Sequence, residues 1–142
     1  MSAPGNTIVF FDSDCLLCDR AVQWLVRLDL DAQLRFAPLG GETFLKIGES
    51  GVAVAEFASK RTMVLAQRQD GGAWRLSSRS DAVIGALKVA GGAPKRLALL
   101  RIIPRPLRDL GYRIVAALRY RLFGKTETCS LAGGEGRERL LP

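Results

Sequence analysis

Histidine is absent from this chain of 142 residues, and cysteine occurs only three times, as Cys15, Cys18 and Cys129. Without an imidazole there is no Ser-His-Asp or Cys-His catalysis and no Cys2His2 zinc site. Three cysteines are an odd number and too few for a secreted disulfide scaffold. No apolar run approaches the roughly 18 residues that a spanning helix needs. Residues 1–7 are small and polar and lack the basic and apolar regions of a signal peptide. These absences predict a cytoplasmic protein in a reducing compartment, where a Cys-x-x-Cys pair is more often catalytic or metal-binding than structural. Internal repeats and low-complexity tracts are also missing. With 48% hydrophobic and 25% charged residues, the composition is that of one folded domain over residues 1–142.

Acid is scarce in one stretch. Residues 95–125 hold nine basic residues and a single acid, Asp109, a local charge of +8. The formal net charge is +7, so the rest of the chain sums to −1. The basicity therefore belongs to a C-terminal segment and not to the chain as a whole.

What is there begins with Cys15 and Cys18. They follow the apolar run Ile8-Val9-Phe10-Phe11 and stand where a helical pattern begins. A helix N-terminus carries unpaired N–H groups and partial positive charge, a setting that favours the reactive thiolate. Cys15 is read as the exposed nucleophile and Cys18, one turn further in, as the resolving thiol. Asp12 and Asp14 lie close by. Carboxylates near a thiol raise its pKa and oppose the helix-end effect, but Asp12 can instead accept a thiol proton, and either Asp can cap or turn the chain. Two other readings stand beside the redox one. The cysteines can be small core residues, or Cys15, Cys18 and Cys129 with Asp12 or Asp14 can hold a metal. The absence of a second Cys-x-x-Cys argues against the metal, and no cofactor is expected. Cys129 is either a third redox thiol or an ordinary free thiol.

The patterning predicts strands at residues 8–11, 34–37, 62–67 and 73–77, the last two joined by an Asp70-Gly71-Gly72 turn. Helices are predicted at 19–30 and 42–47, and from a cap at Ser80 or Asp81 through Val89, stopped by Gly91. Residues 52–58 fit helix or strand. The order β-α-β-α-β-β-α over residues 8–92, with Cys-x-x-Cys after the first strand, predicts a thioredoxin-like α/β fold.

A basic helical extension follows at residues 95–124, then a flexible tail at 131–142. Within the extension, Leu107, Leu110, Ile114, Leu118 and Leu122 form a stripe at helical spacing, with Gly124 placed to end the helix. The stripe is expected to pack, buried, on the domain. Arg108, Arg113, Arg119 and Arg121 lie mostly off it, as a solvated face or a contact for an anionic partner or membrane. Asp109, four residues from both Arg105 and Arg113, offers them helical ion pairs. No nucleic acid is expected, because the aromatic residues do not form a stacking platform.

Several stretches together resemble the DCC thiol-disulfide oxidoreductase family. They are Asp12-x-x-Cys15-x-x-Cys18, Ser80-Asp81-Ala82-Val83, Ile103-Pro104-x-x-Leu107-Arg108-Asp109-x-x-Tyr112, and Arg119-Tyr120-x-x-Phe123-Gly124 followed by Cys129. The resemblance implies a thioredoxin-like fold and thiol–disulfide exchange with a protein or small-molecule partner and a reductant. Two features depart from it. Ser13 and Leu16 stand where the family usually has Gly and Pro, and no Pro precedes the strand at 62–67, where thioredoxins place one facing the active site. The alternative from another class is a non-catalytic module that docks an anionic surface through the basic segment.

Overall fold

Burial on both faces organises the centre of the molecule. The first strand, β1 (Thr7–Phe11), is buried at every position, which is why its sequence shows no polar alternation. In the computed structural model, the described residues are 6–12, 16–49, 54, 57, 62–91, 99, 102–122, 124 and 137–141. Helix α1 (Leu16–Leu28) carries the chain from β1 to β2 (Leu34–Pro38). Helix α2 (Glu42–Glu49) follows, then the hairpin of β3 (Val64–Arg68) and β4 (Trp74–Ser78), then α3 (Arg79–Ala90) and α4 (Arg105–Leu122).

The sheet order is β2-β1-β3-β4. β1 and β2 are parallel, with Val9 opposite Phe36, as a helical crossover requires. β3 is antiparallel to both β1 and β4, with Val9 opposite Leu65 and Leu65 opposite Ser77. This is the thioredoxin-like α/β arrangement. On one face of the sheet, Val9, Phe11, Leu34, Phe36 and Leu65 meet Val22 and Leu25 of α1 and Ala82 and Ala86 of α3. On the other, Ile8, Phe10, Val64 and Ala66 meet Phe44 and Ile47 of α2. Gly85 lets α3 lie close to the strands, because a Cβ there would stand 2.5 Å from Leu65 Cδ2.

The element ends differ from the sequence reading in instructive ways. Helix α1 starts at Leu16, three residues before the predicted Asp19, so Cys18 lies inside it. It stops at Leu28 because Asp29, fully buried, takes over the backbone donors: its carboxylate accepts from Gln33 N at 3.0 Å and Leu34 N at 2.7 Å. Neither Ser80 nor Asp81 caps α3. The N-cap is Ser78, in extended conformation and without a side-chain capping bond. Ser80 and Asp81 are drawn off by α4 instead, as described below. Gly91 does end α3, in a left-handed conformation at φ 73°. The ambiguous stretch 52–58 lies outside the described residues apart from Val54, which is buried, and Phe57. The first part of the predicted helical extension, residues 95–103, lies outside them apart from Leu99, Ile102 and Ile103.

The stretch read as a flexible tail from 131 is described at residues 137–141, and there it is tied to the sheet. A 3-10 turn (Arg137–Arg139) precedes a bridge from Leu140 to Phe36, and Leu141 N donates to Phe36 O at 2.7 Å. Arg139 pairs with buried Asp29 at 3.2 Å.

The largest correction concerns α4. Its stripe was expected to be buried on the domain. It faces outward: Leu107 is 59% exposed, Leu110 and Ile114 52%, and Leu122 70%. The reason is visible on the opposite side of the helix, where polar groups hold it to the domain. The Tyr112 hydroxyl accepts from Met63 N at 3.0 Å and lies 3.2 Å from Thr62 Oγ1. Ser80 Oγ donates to Asp109 at 2.5 Å. Asp81 takes ion pairs from Arg105 at 2.9 Å and Arg108 at 3.4 Å. Of the pairs expected of Asp109 within the helix, the one with Arg105 forms, at 3.7 Å.

Candidate active site

The candidate site occupies the junction between the C-terminal end of β1 and the start of α1. Asp12 follows β1 directly and is buried. Residues 13–15, including Cys15, lie outside the described residues. Cys18 sits in the first turn of α1 and is buried, in one apolar cluster with Phe11, Val22, Met63 and Ala82. Asp12 and Cys18 thus stand on either side of residues 13–15 in the chain.

The C-terminal segment also takes part. Leu16 N, one of the N–H groups that a helix start leaves unpaired, donates to Gly124 O at 3.4 Å. The Tyr112 hydroxyl holds the Thr62–Met63 backbone just before β3. So the C-terminal segment is tied at two places, at the entry to β3 by Tyr112 of α4 and at the start of α1 by Gly124, two residues beyond the helix.

One site residue escaped the sequence reading as a functional candidate. Asp19, next to Cys18, is 1% exposed and accepts from Gln23 Nε2 at 3.2 Å. A signal for its burial was present: Asp19 stands three residues before Val22 and seven before Val26, on the buried stripe of α1. A buried acid beside a thiol needs compensation, and this one has an amide donor. Tyr112 and Gly124 stand in stretches that carry the family resemblance, but their contacts could not be read there, because each depends on where α4 lies.

The remaining candidates divide. Cys129 lies outside the described residues, as does the side chain of Arg119. Arg108 is turned inward, with its side chain 15% exposed on Asp81 and its Nε donating to Ile103 O. Arg113 and Arg121 are exposed. No helix among the described residues is long and apolar enough to cross a membrane.

Residues 9–125 match the family described as DCC1-like thiol-disulfide oxidoreductase, a span that runs from β1 through Cys15 and Cys18 to just beyond α4. The chain belongs to the DCC1-like family. It is similar to the uncharacterized protein YuxK of Bacillus subtilis (strain 168), 30% identical over 137 residues that cover 96% of this chain and 95% of that protein. It is also similar to a chloroplastic DCC family protein of Arabidopsis thaliana, 31% identical over 126 residues, 87% of this chain and 69% of the relative. No solved structure matches significantly. Membership supports a redox role in general. The matched span also includes Tyr112 and Gly124.

Proposed function

We propose that the protein carries out dithiol–disulfide exchange, with Cys15 as nucleophile and Cys18 as resolving thiol. The observation that carries this reading is the burial of Cys18 in the first turn of a helix that starts at the end of β1. Cys15 stands next before that helix in the chain, where the N-terminal field favours a thiolate. Cys18 is protected from bulk reagents and one turn away, the arrangement that a resolving thiol needs.

The exchange proceeds in two steps. The Cys15 thiolate attacks one sulfur of a substrate disulfide; that S–S bond breaks, and the first substrate thiolate leaves and takes a proton. Cys18, deprotonated with Asp12 as proton acceptor, then attacks the Cys15 sulfur of the mixed disulfide. The second substrate thiol leaves, the substrate is reduced by two electrons, and the Cys15–Cys18 disulfide remains. A dithiol reductant, or two monothiols, restores the starting state. Run backwards, the same steps oxidise a dithiol substrate.

Cys129 is proposed as a third thiol of the same site. It follows Gly124 by five residues, a chain reach of at most about 18 Å, and Gly124 itself contacts the start of α1.

The test is turnover of a disulfide substrate by single variants. Cys15→Ser should abolish turnover, and Cys18→Ser should accumulate a mixed disulfide detectable by mass spectrometry, because the resolving thiol is needed only for release. Cys129→Ser should slow turnover if the third thiol takes part. Wild-type turnover in both Cys15→Ser and Cys18→Ser would eliminate the dithiol mechanism.

A further inference from the structure

Helix α4 presents to solvent the face that a helix on a globular domain ordinarily turns inward. We propose that this face is a docking surface for an anionic lipid bilayer, on which the protein lies peripherally. The proposal stands on the shape and charge of α4 and is independent of the dithiol chemistry.

The apolar part is continuous and aliphatic. From Leu107 to Leu122 the stripe runs about 22 Å at the helical rise. Val115 widens it, and Ile102 and Ile103 extend it beyond the N-terminal end, all of them exposed. An exposed face of this extent marks an interaction site. The helix cannot roll to bury it, because Tyr112, Asp109 and Arg108 fasten the opposite side to β3 and α3.

The charge identifies the occupant. Asp109 is the only acid from residue 95 to 125, and it is turned inward onto Ser80 and Arg105. What remains beside the stripe is positive: Arg113 and Arg121 are exposed, the latter within the leucine face itself. A surface that is apolar and cationic, with no exposed acid along the helix, is complementary to hydrocarbon beneath anionic headgroups. Arginine on such a face extends its guanidinium to the headgroups while its methylenes stay in the apolar layer. A second copy of the chain would set these arginines against each other, and like charges in an interface are costly. A protein partner would be expected to meet aromatic anchors or groups that fix its register. Among the described residues, the apolar side chains of the outward face are all aliphatic, which suits a fluid apolar layer. α4 does not qualify as a spanning helix, so it lies on the surface and does not cross it.

The position of the stripe has a consequence for the site. Leu122 precedes Gly124 by two residues, and the Gly124 carbonyl meets Leu16 at the start of α1. Docking through α4 therefore holds the junction of β1 and α1 close to the lipid surface.

Co-sedimentation of the full chain with vesicles tests this. One set is phosphatidylcholine alone; the other is an equimolar mixture of phosphatidylcholine and phosphatidylglycerol. Partitioning should be at least about tenfold stronger on the anionic vesicles at low salt and should weaken at high salt. Ile114→Glu should reduce it about tenfold or more while leaving the circular dichroism spectrum unchanged, because Ile114 is half exposed and lies outside the dithiol site. The double variant Arg113→Glu, Arg121→Glu should remove the preference for anionic lipid. Equal binding to both vesicle types would overturn the assignment, and so would undiminished binding by Ile114→Glu. Absence of vesicle binding would also overturn it, leaving a protein partner as the occupant. A lipid-free dimer in analytical ultracentrifugation that Ile114→Glu makes monomeric would assign the face to a second copy instead.

Discussion

The sheet and helix α4 both place apolar residues at the spacing their elements demand, yet they direct them oppositely. Along β1, residues on both sides of the strand are buried, because α1 and α3 cover one face of the sheet and α2 the other. Along α4, the apolar residues face solvent while hydroxyl, carboxylate and guanidinium groups face the domain. The comparison separates two properties that a hydrophobic pattern is often taken to give together. Periodicity states which residues share a face. It does not state which face meets the protein. In β1 the distinction is empty, because both faces are covered. In α4 it decides the structure, and the stronger tie is a small set of polar contacts.

The comparison is broken most forcefully in the sheet. Phe10 is fully buried, with its ring edge-on to Phe44 at 5.1 Å between centroids. Phe10→Ala should destabilise the fold by about 3–5 kcal/mol, through lost transfer energy and the cavity left behind. Denaturant unfolding measures it. A cost below about 1 kcal/mol would mean that the two faces of the sheet are not sealed as described.

A smaller effect probes how α4 is held. Tyr112→Phe removes one hydroxyl, leaving Met63 N–H without its acceptor and Thr62 Oγ1 without a partner at the entry to β3. Losing a partner for a buried donor costs about 1–3 kcal/mol. The same substitution should raise hydrogen exchange along α4, because the polar grip and not apolar burial keeps the helix in place. Unchanged exchange in α4 would mean that other contacts carry it.

Much of the fold was legible from residues 8–92. The uninterrupted apolar run at 8–11, the Asp70-Gly71-Gly72 turn and the helical stripe of α1 each specify an element by local chemistry, and the sheet order follows from a short list of allowed connections. At the site, the burial of Cys18 was read from the strand-to-helix junction, whereas its place inside α1 was not, because the helix was expected to begin at Asp19. Three further features were not legible. Ser80 and Asp81 have the composition of caps, but their side chains answer to Asp109, Arg105 and Arg108 across the molecule. The 137–141 segment reads as a tail because Gly133, Gly134 and Gly136 precede it, yet Arg139 finds buried Asp29 over a hundred residues away. And the inward side of α4 was assigned by its leucines, whereas Tyr112 decides it. In each case the deciding partner lies in another element, and a local pattern holds no information about it.

The smallest expected effect is the most discriminating. If α4 is held by its polar side, its leucine stripe contributes little to the stability of the isolated protein. Leu110 and Ile114 each leave about half of their surface in water (52% exposed), so truncation forfeits only part of the burial energy and opens no sealed cavity. Alanine is also the better helix former, which offsets a few tenths of a kcal/mol for Ile114. Leu110→Ala and Ile114→Ala should therefore each change unfolding free energy by less than about 1 kcal/mol, well under the figure for Phe10→Ala. A buried stripe would instead give about 2–5 kcal/mol for each. Denaturant titration of the two variants beside Phe10→Ala in one buffer distinguishes these outcomes. Costs of 2 kcal/mol or more would turn the stripe inward and remove the basis for a docking face. Near-neutral values would leave the leucines without a role in folding, so that their presence on the surface has to be explained by what they bind.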